Sequence, residues 1–127
     1  MGLEHEERVE NSVNVATVCN TRRVAGAIAG IIRENVGLKK YGRLDRNIYE
    51  TFAHLQVATV RSNGVDATIN AIDAISTARD FIESNEYTIG YESYFPDPDR
   101  PTAMEFKIFL HRWENPEEQR YLHQPIR

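Results

Sequence analysis

Two short strand-like runs, the first rich in β-branched residues, are each followed by a turn and then by apolar residues at helical spacing. This alternation restricts the chain more than any other feature. The first run is Val13-Asn14-Val15-Ala16-Thr17-Val18 and the second is Leu55-Gln56-Val57-Ala58-Thr59-Val60. Both read as buried strands. After the first, Asn20 and Thr21 are good N-cap residues. Val24, Ala27, Ile28, Ile31 and Ile32 then recur at helical spacing, up to a stop near Asn35 and Gly37. After the second, the turn Arg61-Ser62-Asn63-Gly64 leads into a helix from about Val65 to Ser84. Its expected buried side is Ile69, Ile72, Ile75, Ala78 and Ile82, with Asp66, Asn70, Asp73, Thr77 and Asp80 opposite.

Two alternating strands complete the pattern. Tyr87, Ile89 and Tyr91 alternate with polar neighbours, and so do Met104, Phe106, Ile108 and Leu110. Between them Phe95-Pro96-Asp97-Pro98-Asp99-Arg100-Pro101 reads as a proline-punctuated hairpin loop. The expected fold is α/β, an α+β sandwich in the order β-α-β-α-β-β. One insertion, about 36–54, falls between the first helix and the second strand. There Asp45 is placed to cap a short helix whose face carries Leu44, Ile48, Phe52 and Leu55. Residues 1–12 read as a flexible arm, 13–113 as the domain, and 114–127 as a tail. In the tail, Asn115-Pro116-Glu117-Glu118 starts a short C-terminal helix.

Composition excludes several classes of function. At 127 residues, with 41% hydrophobic and 27% charged side chains, the chain is one domain able to bury a core. Its one cysteine, Cys19, allows no intrachain disulfide and fits a reducing compartment. The opening Met-Gly-Leu-Glu-His-Glu-Glu-Arg lacks a signal peptide's apolar stretch, and Glu6 breaks the myristoylation pattern. No apolar run reaches the ~18 residues of a membrane span. A cytoplasmic location without membrane contact is expected, nucleoid-associated if the partner is DNA. The net charge of −4 argues against an indiscriminate polyanion binder, so contact with nucleic acid requires a local patch.

The basic turn is the leading candidate for that patch. If the first two strands are parallel neighbours, both following helices start at the same sheet edge. Asn20, Thr21, Arg22 and Arg23 would then lie near Arg61, Ser62 and Asn63. Unpaired helix N–H groups and arginine forks would favour a phosphate there. The plainer reading makes these arginines solvated charges beside ordinary caps. In the helix, Gly26 and Gly30 stand one turn apart. Each costs about 0.5–1 kcal/mol relative to alanine, which implies close approach of the sheet or of a partner subunit.

The segment Val24-Ala25-Gly26-Ala27-Ile28-Ala29-Gly30-Ile31-Ile32-Arg33-Glu34 closely resembles the first helix of the stage V sporulation protein S family. Ala71 through Phe81, ending Ala78-Arg79-Asp80-Phe81, is similar to that family's second helix, and Thr102-Ala103-Met104-Glu105-Phe106 to its last strand. The resemblance covers roughly residues 13–34 and 55–110. It implies an Alba-like fold, whose superfamily has the same β-α-β-α-β-β order. It also implies a homodimer that binds DNA or RNA. Arg22 and Arg23 occupy the place of the family's basic pair, Arg61 that of its second basic element, and Arg100 lies in the hairpin that reaches along nucleic acid. Two departures stand out. Asp97 and Asp99 make the hairpin tip acidic, which phosphates repel. The insertion is absent from the short sporulation proteins, and its Lys39, Lys40, Arg43 and Arg46 are candidates to supply positive charge.

The sequence carries no recognisable catalytic or cofactor signature. There is no phosphate-loop motif, since no lysine follows Gly26 and Gly30 at the required position. A cysteine phosphatase loop on Cys19 would need an arginine where Ala25 stands. His5, His54, His111 and His123 have no metal-ligand spacing. The expectation is therefore no enzyme, no cofactor and no metal. Nucleic-acid binding is weighed against a regulatory or self-assembling protein of the same fold that touches no nucleic acid.

Overall fold

The computed structural model describes residues 11–113. The expected C-terminal helix, the tail and all but the last two residues of the N-terminal arm lie outside them. The elements in chain order are β1 (Ser12–Val15), α1 (Thr21–Val36), α2 (Arg46–Phe52), β2 (Gln56–Asn63), α3 (Val65–Ile82), β3 (Tyr87–Tyr94) and β4 (Ala103–Arg112). Three helices and a four-stranded sheet make a mixed α+β fold. Among the described residues no helix is long and apolar enough to cross a membrane.

The sheet order is β1-β2-β4-β3. β1 lies parallel to β2, with Val15 opposite Ser62, while β2–β4 and β4–β3 are antiparallel. Adjacent parallel strands require crossover connections, which α1 and its insertion supply. Val60, Phe106 and Ile108 share the helix side of the sheet and are almost fully buried beneath α1 and α3. On that side a hydrogen bond between the Ser62 and Thr68 hydroxyls, 2.8 Å long, ties β2 to α3.

Three boundaries and faces differ from the expectations above. β1 ends at Val15, and Val18 is 89% exposed. The Asn70 amide donates to the Ala16 and Thr17 carbonyls at 3.1 and 2.9 Å, so a side chain replaces the strand ladder there. β2 continues to Asn63, which puts Arg61, Ser62 and Asn63 in a strand and not in a turn. The cause is β4, whose Glu105, Met104 and Ala103 pair with those three residues. A single chain segment does not reveal such a partner.

The third difference concerns α3. Its buried row is Ala67, Ala71, Ala74, Ile75, Ala78 and Ile82, whereas Ile69 and Ile72 are 52% and 41% exposed. Alanines let α3 lie close to α1 and the sheet, and close packing outweighs the larger transfer term of the isoleucines. Local signals set α1 more simply. The Asn20 side chain accepts from the Arg23 N–H at 3.1 Å, and Gly37 closes the helix at φ 73°. Gly26 and Gly30 face outward, with nothing within 4 Å of an added Cβ. Close approach to the sheet is therefore not their reason.

The insertion packs at the opposite end of the sheet from the β3–β4 loop. Asp45 caps α2 by accepting from the Ile48 N–H at 2.9 Å. Leu44 is buried in the core, and the Tyr49 ring stacks on Tyr87 with centroids 5.1 Å apart.

Candidate nucleic-acid interface

The basic turn keeps its expected local form. Asn20 is the cap, Thr21 is the first helical residue, and Arg23 is exposed with no ion pair among the described residues. The Arg22 guanidinium carbon lies 5.3 Å from the centroid of the Phe81 ring. Phe81 sits in the last turn of α3. The connection into α1 passes beside the start of α3, where the Asn70 amide binds the Ala16 and Thr17 carbonyls, and the last turns of the two helices meet where Arg33 binds the Phe81 carbonyl. The cleft that holds Arg61, Ser62 and Asn63 is not lined by Asn20–Arg23.

Arg61, Ser62, Asn63 and Arg100 do come together, in a cleft of about 470 Å³ where β1 and β2 end and the β3–β4 loop begins. Ser62 is buried, on its bond to Thr68. Asn63 accepts on Oδ1 from the Thr102 hydroxyl at 2.6 Å, and the Gly64 N–H donates to the Thr102 carbonyl at 3.0 Å. These bonds fasten the loop to the end of β2. Arg100 is exposed at the rim, its backbone N–H donating to the Asp97 carbonyl at 3.0 Å.

Arg61 is not a free cation. Its Nε donates to Glu105 Oε2 at 2.9 Å and its Nη1 reaches the Ser12 hydroxyl at 3.4 Å. The Tyr94 hydroxyl donates to the other oxygen of Glu105. Burial raises the Glu105 pKa, but the hydrogen bonds from Tyr94 and Arg61 and nearby positive charge outweigh it, leaving the carboxyl below its ordinary value. The same hydrogen bond holds the Tyr94 phenol above its ordinary value, with burial adding to the effect. Lys107 completes the group, its ammonium 4.9 Å from the centroid of the Tyr94 ring.

The insertion's basic residues follow the cap of α1 at Gly37. Arg43 caps α3, its Nη1 donating to the carbonyls of Asp80 and Glu83 at 2.9 and 3.0 Å. Arg33 from α1 binds the Phe81 carbonyl at 2.9 Å. Arg46 pairs with Glu50 at 3.1 Å, and Lys40 lies 5.3 Å from the Tyr41 ring centroid. Lys39 is exposed. A guanidinium on the last carbonyls of a helix is a favourable structural arrangement, and it occupies the charge proposed for phosphate.

Sequence reasoning missed Asn14 and Glu105 and did not join Tyr94 to them. Asn14 stands opposite Arg61, and Glu105 opposite both Arg61 and Tyr94. Strand alternation marked the face of each residue, but only the register brings them together. Cys19 is half-buried against the core. Among the described residues no group of three His, Cys, Asp or Glu is placed to hold a metal. Compared with known proteins, the chain matches no family model and no curated protein sequence.

Proposed function

We propose that this chain is an Alba-like nucleic-acid-binding protein that acts as a dimer, in nucleoid organisation or gene regulation. The observation that carries the reading is the meeting of Arg61, Asn63 and Arg100 around one cleft at the end of the sheet. The element order supports it, because leaving out α2 gives the β-α-β-α-β-β order of the family that the helices resemble. Arg23 and Arg100 are its exposed phosphate contacts. With so few, affinity falls only moderately with salt, at a log–log slope of about −2 per protomer for duplex DNA.

Fluorescence polarisation with DNA and RNA across a salt series tests this reading. Binding at low salt that is lost in the double substitution Arg23→Glu and Arg100→Glu is expected. Absence of binding to either polymer at low salt overturns it.

A specific observation favours the second reading, a self-assembling protein without nucleic acid. Val65, Ile69 and Ile72 form an outward apolar row on α3 at 74%, 52% and 41% exposure. Tyr91, 43% exposed, lies on the helix side of β3. Contiguous exposed apolar surface marks interaction sites. Both readings place the partner copy here, and nucleic-acid titration separates them.

A further inference from the structure

We propose that the cleft at the end of the sheet receives one unpaired nucleobase, which makes single-stranded nucleic acid the preferred ligand. The inference rests on the nucleic-acid reading above and adds the form of the ligand. The cleft, about 470 Å³, falls in the size range of small-ligand sites, and Val15, Pro96 and Met104 give it apolar walls. Its lining charges balance, Arg61 and Arg100 against Asp97 and Glu105, and Arg61 is already held by Glu105. A balanced interior does not draw in a phosphate dianion. It suits an uncharged planar group with polar edges.

Two amides supply the edge contacts. Asn63 spends its oxygen on Thr102, leaving its amide nitrogen to donate. Asn14, exposed across from Arg61, has no side-chain hydrogen bond among the described residues. Side-chain amides pair with the donor and acceptor edges of bases. At the rim, Arg100 takes the attached phosphate, and Phe95, 64% exposed beside Pro96, offers a ring on which the next base stacks. A base inside a duplex is stacked and paired and does not reach such a cleft.

The test compares the affinity of the full chain for a single-stranded oligonucleotide and for a duplex of the same sequence, at one salt concentration. Single strands are expected to bind about 10-fold more tightly, the scale of one good base contact. Asn14→Ala with Asn63→Ala removes that preference, so that the variant binds single strands no more tightly than it binds duplex. Thr102→Val, which deletes the Asn63 bond but keeps the amide, retains it and controls for loss of structure. In heteronuclear NMR, a nucleoside monophosphate shifts the backbone signals of Asn14, Asn63 and Ala103. Duplex binding as tight as single-strand binding, or a preference that survives the double substitution, overturns the inference while the nucleic-acid reading stands. Failure to bind either form overturns both.

Discussion

The guanidinium of Arg22 rests over the ring of Phe81, 5.3 Å from its centroid, so the first turn of α1 is tied to the last turn of α3. The neighbouring Arg23 carries its charge into solvent. Two adjacent arginines that look equivalent in the sequence therefore have different jobs. Arg22→Ala is expected to cost about 0.5–1 kcal/mol of stability, the scale of an exposed cation–π contact. Arg23→Ala stays within about 0.5 kcal/mol of the parent, as exposed surface changes do. Urea denaturation of both variants measures the difference, and equal losses contradict the assignment.

The end of α3 depends on arginines from elsewhere in the chain. Arg33 and Arg43 supply donors to the carbonyls of Phe81, Asp80 and Glu83, and the Leu44 N–H binds that of Ile82 at 2.8 Å. Arg33, half-buried, is expected to cost about 1.5–3 kcal/mol when changed to alanine. Arg43, more exposed, costs about 1 kcal/mol. Lys39→Ala and Lys40→Ala are controls with changes below about 0.5 kcal/mol. Chemical denaturation midpoints rank the four.

The Arg61–Glu105–Tyr94 group makes stability depend on pH at both ends. A carboxyl whose folded-state pKa is depressed adds stability above its unfolded value, and that contribution is lost as pH falls through the folded value. Glu105 is such a group. The parent should lose more stability than Glu105→Gln as pH falls from about 4.3, the ordinary glutamate value. Tyr94 has a raised pKa, so its contribution is full below the ordinary phenol value of about 10 and is lost as pH rises through the higher folded value. Tyr94→Phe should flatten the alkaline limb. Melting temperatures against pH for the three proteins decide the matter; parallel curves would refute the coupling.

The outward glycines of α1 give a test with opposite signs. Gly26→Ala and Gly30→Ala meet no neighbouring atom and should each stabilise the protomer by about 0.5–1 kcal/mol. Gly37→Ala, at φ 73°, should destabilise by about 1 kcal/mol or more. If a second copy approaches α1 closely, the two stabilising changes weaken its association in sedimentation. Unaltered association shows that the glycines serve no interface.

The apolar row on α3 gives the last prediction. Ile69→Asp leaves the fold intact, because Ile69 is half-exposed, and shifts a dimer toward monomer. Sedimentation over a concentration series reads it, and an unchanged association state removes this face from the interface.

Sequence alone determined the elements that rest on local chemistry. Asn20 and Asp45 cap their helices, Gly37 ends one, and the alternation of Met104 to Leu110 marks a strand with one buried face. Each involves residues within a turn or a pleat of one another, where backbone geometry and side-chain period suffice. Tertiary structure decided what those elements meet. β4 pairing turned Arg61–Asn63 from a turn into a strand and matched Arg61 with Glu105. Packing of α1 on α3 set Arg22 over Phe81, and the alanine row set which side of α3 faces inward. Those outcomes depend on register and packing between segments distant in the chain, which no local pattern encodes. The cap of the basic turn was legible for the first reason, and the Phe81 contact of its Arg22 was hidden for the second.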